Sequence, residues 1–80
     1  MIRIEVAPDR GEWRVYVDMG VQGYHEVFRL KWFAVHYARR KARELGRPDN
    51  PVSLRIKKKN GRYQEERTYP RPADPRRTPG

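Results

Sequence analysis

The apolar residues of this chain change period twice, and that change constrains the fold more than any other feature. Ile2, Ile4 and Val6 alternate with Arg3 and Glu5. Trp13, Val15 and Val17 alternate with Arg14, Tyr16 and Asp18. A period of two belongs to a half-buried strand. Between residues 30 and 45 the spacing turns helical, with Ala34, Val35, Ala38, Ala42 and Leu45 on one face. Val52, Leu54 and Ile56 then return to a period of two. A weaker third strand is expected over 24–28 and a fifth, of low apolarity, over 62–69.

The turn residues order these elements. Pro8-Asp9-Arg10-Gly11 reads as a turn, because Pro presets φ and Gly tolerates positive φ. Gly20 and Gly23 bracket a second turn. Gly46 stands where a helix C-cap belongs, with Pro48 just beyond. Asn60-Gly61 is the strongest short hairpin signal. Connections this short give a meander of three antiparallel strands. The predicted fold is therefore α+β: a small antiparallel sheet with one packed helix, in the order βββαββ. The alanines let the helix lie close to the sheet, against Ile4, Val15, Val17, Leu54 and Ile56. Phe33 and Tyr37 close the core on one flank. The last hairpin either joins the first sheet or projects from it. Pairing about Asn60-Gly61 brings Arg55 to Glu65 or to Glu66, depending on whether a bulge forms. So charged a fifth strand belongs at a sheet edge.

Eighty residues make one domain, expected over 1–69. A domain this small buries only roughly 60–65 % of the surface its unfolded chain exposes, so the core is thin. Residues 70–80 hold four prolines and three arginines and no apolar residue larger than Ala73. They read as a disordered tail, partly polyproline II. The absence of cysteine excludes a disulfide framework and a Cys-based zinc site. No apolar run reaches the roughly 18–20 residues that span a bilayer. The start of the chain lacks a signal-peptide core. A cytoplasmic protein with no membrane partner is expected.

Charge carries the functional reading. Nineteen Lys and Arg against ten Asp and Glu give a formal net charge of +9. Such a surface attracts polyanions and repels itself, and nucleic acid is the commonest partner that relieves the repulsion. Four regions can supply contacts. Trp32, His36, Arg39, Arg40 and Arg43 share the helix surface opposite the core. Arginines beside a Trp and a His suit phosphate contact and base stacking; the bland alternative is a solvated outer face with Trp32 half-buried. Lys57, Lys58 and Lys59 with Arg62 form a finger of charge at the last hairpin, which straddles a phosphate backbone or simply keeps the tip soluble. Arg14, Tyr16 and Asp18, which Arg3 and Arg29 join if the register allows, make a sheet face that either reads a groove or is an ordinary solvated face. Asp18 and Glu5 favour the second, since they repel phosphate. Arg71, Arg76 and Arg77 make the tail a possible nucleic-acid or protein-groove ligand, or an inert end.

Nothing in the pattern points to catalysis, a cofactor or a metal. His25 and His36 stand outside any metal-binding spacing, and no glycine-rich phosphate loop or carboxylate pair stands out.

The run Trp13-x-Val15, Ala34, Ala38-Arg39, Leu54-x-Ile56, Asn60-Gly61 and Glu65-Glu66-Arg67-x-Tyr69, followed by Asp74-Pro75, resembles a family of small uncharacterised bacterial and phage proteins. Its members carry a Trp-x-Val strand, an Ala-rich helix and a Gly-x-x-x-Glu-x-x-Tyr ending. The resemblance spans nearly the whole chain and implies a fold. Over about residues 12–45, Trp13-Arg14-Val15, Phe28 and Leu30-Lys31 are also similar in layout to the arm-DNA-binding domains of tyrosine recombinases. That similarity implies a three-stranded sheet in the major groove. The chain departs from it in having Leu30-Lys31 for the usual Thr-Lys, and two further strands after the helix.

The expected function is that of a non-enzymatic basic module. It binds nucleic acid, DNA or RNA, through the phosphate backbone and largely without regard to sequence. The alternative is a protein-interaction or regulatory module that docks on an acidic partner surface or self-associates through an edge strand. In that case a patch centred on Trp32 or Tyr69 carries binding with low salt sensitivity. Monomer and homodimer both remain open.

Overall fold

The computed structural model describes residues 1–70. The tail arginines Arg71, Arg76 and Arg77 lie outside the described residues. Six elements follow in order: β1 (Ile2–Asp9), β2 (Glu12–Asp18), β3 (Gly23–Phe28), α1 (Lys31–Leu45), β4 (Val52–Lys57) and β5 (Tyr63–Tyr69). The class is α+β and the order βββαββ, as the periods require. All five strands form one sheet, in the order β3-β2-β1-β4-β5. The last hairpin therefore joins the sheet.

One feature departs from a wholly antiparallel sheet. β1 and β4 pair in parallel, Ile4 beside Leu54 and Val6 beside Ile56, while the other three pairs are antiparallel. The cause is the helix. A meander leaves β3 running with β1, α1 carries the chain back, and β4 must then run the same way again. The C-terminal ends of β1, β3 and β4 thus share one end of the sheet with the start of α1.

The core forms where the periods meet. Ile2, Ile4, Val6, Trp13, Val15, Val17, Val52, Leu54 and Ile56 are buried on one sheet face, against Ala34, Ala38 and Ala42 of the helix. Val35 and Leu45 are only partly buried at the stripe's margins. The alanines permit a close approach that a larger side chain would forbid. Ala38→Leu is therefore expected to cost about 1–3 kcal/mol by overpacking. A denaturant titration reads it as a lower midpoint with an unchanged slope.

Two turns differ in detail from the sequence reading. Pro8 is a strand residue, opposite Trp13 and beyond the reach of β4. Arg10 and Gly11 form the connection alone, with φ of 53° and 82°. Two positive φ values match the twist of a tight hairpin. Gly46 caps α1 with its N–H on the Ala42 carbonyl at 2.9 Å, but its φ is −69°. Left-handed geometry is not what requires glycine there. A Cβ would meet the carbonyl of Tyr69 at 2.9 Å, so glycine lets the helix end touch β5.

The flank of the core is also only partly as expected. Phe33 is 51 % exposed and closes nothing. Tyr37 packs on Phe28, and its hydroxyl is hydrogen-bonded to that of Tyr24. Burial first, and then the Tyr24 hydrogen bond, push the Tyr37 phenol well above its usual pKa. A phenol whose pKa is raised on folding keeps its proton in the folded state. Its contribution to stability is whole below pH ~10, the unfolded value, and is lost as pH rises toward the folded value. Alkaline unfolding above pH ~10 should be less steep in Tyr37→Phe. Melting curves across that range check it.

Candidate functional site

The rows of the helix sort the expected site residues. Lys31, Val35, Arg39 and Arg43 recur every four residues and so share one row. This row faces β5: Lys31 Nζ donates to Gln64 Oε1, and Arg39 Nη2 lies 2.9 Å from Glu65 Oε1. Trp32, His36 and Arg40 form the outermost row. Trp32 is 67 % exposed rather than half-buried, and its ring is stacked on His36 with centroids 5.5 Å apart and planes 6° from parallel. Arg40 Nε lies 3.9 Å from Glu44 Oε1, one turn on. Arg43 makes no ion pair among the described residues. The helix surface is therefore two surfaces, an outer aromatic and basic one and an inner one turned to β5.

The lysine finger divides as well. Lys57 points to the open face of the sheet, where its Nζ lies 3.8 Å from Glu5 Oε2 and 5.4 Å from the Tyr63 ring. Lys58, Lys59 and Arg62 stay at the tip and are exposed. The tip is held by its backbone. The Lys58 N–H donates to the Arg62 carbonyl at 2.7 Å, the Gly61 N–H to the Lys58 carbonyl at 3.0 Å, and Gly61 takes φ of 86°. A bulge skips Gln64, so Ile56 faces Glu65 and Lys57 faces Tyr63. That register sets Arg55 beside Glu66, at 4.0 Å.

Parallel pairing adds three cations that composition and spacing did not assemble. The β1–β2 turn carries Arg10, the β3–α1 join carries Arg29 and Lys31, and the β4–β5 turn carries Lys58, Lys59 and Arg62. All six belong to the same end of the sheet. None makes an ion pair among the described residues. Arg29, Lys31 and Lys59 line one cleft of about 750 Å³ with Pro8, Trp13 and Leu30, and Glu12 is its single carboxylate. Lys31 Nζ sits 5.1 Å over the Trp13 ring. The helix begins there with no acidic residue in its first turn and no side-chain cap on Leu30. Its uncapped amides carry the positive end of the helix dipole toward the same place.

The open sheet face contrasts with this end. Arg14 Nη2 lies 2.8 Å from Asp9 Oδ2, and Arg14 Nη1 is 3.4 Å from His25 Nε2. Glu5 accepts from the Tyr63 hydroxyl at 3.0 Å as well as attracting Lys57. Arg14, Lys57 and Arg55 are each matched by a carboxylate there. Arg29, which one register would have brought to this face, stands instead in the cleft at the helix start. Tyr69, offered with Trp32 as the centre of a protein-binding patch in the alternative reading, is 7 % exposed and belongs to the core.

Among the described residues no group of three or more metal-ligating side chains converges. No helix of the described chain is long and apolar enough to cross a membrane. Residues 4–69 match the sequence profile of a family described as an uncharacterized protein conserved in bacteria, DUF2188. The chain belongs to that family. No curated protein and no solved structure matches it.

Proposed function

We propose that this member of the bacterial DUF2188 family is a non-enzymatic module that binds nucleic acid by its phosphate backbone, through the end of the sheet where α1 begins. One observation carries the reading: six cations from three connections stand at that end of the sheet without ion-pair partners among the described residues, and Arg29, Lys31 and Lys59 line one cleft there. Unpaired cations around a helix start repel one another, and a phosphate backbone relieves that repulsion. The open sheet face, with carboxylates among its cations, offers no comparable relief. Trp32 and His36 stand one turn along the helix, where an exposed stacked pair suits an unpaired base. Arg40 extends the basic outer row. The reading places the protein in the cytoplasm, with its ligand.

Fluorescence anisotropy with duplex DNA, single-stranded DNA and structured RNA tests it. Binding at about 50 mM salt, weakening linearly in log–log form as salt rises, is the expected result. An absence of binding to all three at that salt overturns it.

A second reading rests on a different observation. Leu30, Trp32 and Phe33 are 58 %, 67 % and 51 % exposed, a compact apolar patch beside the cations. Such a patch also suits an acidic protein partner. Complex formation of that kind should persist at high salt and vanish with Trp32→Ala.

A further inference from the structure

α1 does not cover the whole sheet. It packs on β1, β2, β4 and β3, and leaves the inner side of the edge strand β5 largely open. Glu65, Arg67 and Tyr69 alternate along that inner side, opposite the buried Ile56, Leu54 and Val52. The uncovered space is a cleft of about 500 Å³ between the second half of α1 and β5, lined by Arg39, Arg43, Arg67, Tyr69 and Pro70. Three guanidinium groups therefore enter one small space from both walls. Glu65 is the carboxylate they share, with Arg39 Nη2 at 2.9 Å and Arg67 Nε at 3.1 Å. Arg43 has no ion-pair partner among the described residues. Arg39 Nε and Glu65 Oε2 are buried, and no group meets either in hydrogen-bond alignment.

Charged residues on the inner side of an edge strand commonly serve to discourage strand addition. One such residue suffices for that, and it does not require two arginines on the facing helix. The cleft is left with an excess of two positive charges over Glu65. Its β5 wall is anchored at Tyr69, which is buried and whose backbone abuts Gly46. Guanidinium forks match the oxygens of a tetrahedral oxyanion, two at a time.

We propose that this cleft is a phosphate-binding site, separate from the cationic end of the sheet, that takes a phosphate dianion, free or at the end of a monoester. Arg43 is its free donor, and Arg39 and Arg67 are donors held in place by Glu65. The dianion balances the excess charge, whereas a singly charged anion leaves half of it.

The test titrates the full chain with inorganic phosphate, and separately with a nucleoside 5′-monophosphate, following the arginine side-chain Nε–H resonances by NMR. Shifts at Arg39, Arg43 and Arg67 are expected with both probes. Tighter binding of the nucleotide would identify an esterified phosphate as the source, and equal binding the free ion. Binding of the nucleotide should tighten from pH 5.5 to 7.5, as a phosphate monoester loses its second proton near pH ~6. Arg43→Gln, which breaks no ion pair, should weaken binding about tenfold, as loss of one charge-assisted hydrogen bond does. Arg67→Gln should do the same, with a melting curve to show that the fold is kept. Phosphate affinity unchanged in both variants, or shifts confined to Arg62 and the other turn cations, overturns the proposal. A chain reversed at Lys58, Lys59 and Arg62 separates the two sites. It should lose nucleic-acid binding and retain the phosphate titration in the cleft.

Discussion

Reversing Lys58, Lys59 and Arg62 together to Glu should lower nucleic-acid affinity at least about a hundredfold at low salt, and should flatten the salt dependence for duplex DNA by about 2.7 log units per log unit of salt. The slope follows from three lost phosphate contacts at about 0.9 each. The drop in affinity exceeds simple neutralisation because each reversal adds a repulsive carboxylate. Folding should be untouched, within about 0.5 kcal/mol. The three side chains are exposed and unpaired among the described residues, and the turn they occupy is closed by backbone hydrogen bonds and by the Asn60 side chain accepting from the Arg62 N–H. The same reversal at Arg55, on the open face beside Glu66, should cost much less per charge. Equal losses at the two places would mean that only net charge matters.

Leu54→Ala should be the most damaging single change to the fold, at about 2–5 kcal/mol. Leu54 is fully buried, with Ile4 beside it on one strand and Arg67 on the other. The inward position on β5 directly opposite it is an arginine, so no apolar side chain facing it across that pair can collapse into the space. An 80-residue domain has roughly 4–12 kcal/mol in all, so the variant should be partly unfolded at modest temperature. Urea titration measures the loss. Val21→Ala, at a side chain fully open to solvent in the β2–β3 turn, should change nothing.

The strands and helix were legible because each writes its period plainly. Ile4, Val15 and Leu54 stand in runs where every second residue is apolar, and the alanines of α1, at 34, 38 and 42, stand every fourth. The Asn60-Gly61 turn was legible for the same reason, since Gly61 needs its positive φ. The direction of β4 was not read from spacing, because alternation is the same for parallel and antiparallel pairs. It follows only once α1 is seen as the return path between β3 and a strand beside β1. The site inherited that gap. Lys58, Lys59 and Arg62 stood out as a local run, but Arg10, Arg29 and Lys31 join them only when three strand ends are placed together. Lys57 belonged to the same run and faces away, since one residue along a strand changes its side. Arg39 and Arg43 shared a helix side with Trp32 by angle alone, and the gap between α1 and β5 makes them line a cleft with Arg67. The sequence marks Tyr69 only as a candidate centre of a protein-binding patch, but it points inward from β5 at the place where the helix end, at Gly46, meets that strand.

The most direct test of the central claim is backbone amide shift mapping of the full chain with a short mixed-sequence nucleic acid at low salt. Shifts concentrated at residues 10–11, 29–32 and 58–62, reversed by added salt, are the expected result. Shifts centred on Arg3, Tyr16 and Arg55 of the open sheet face, or none at all, would contradict it.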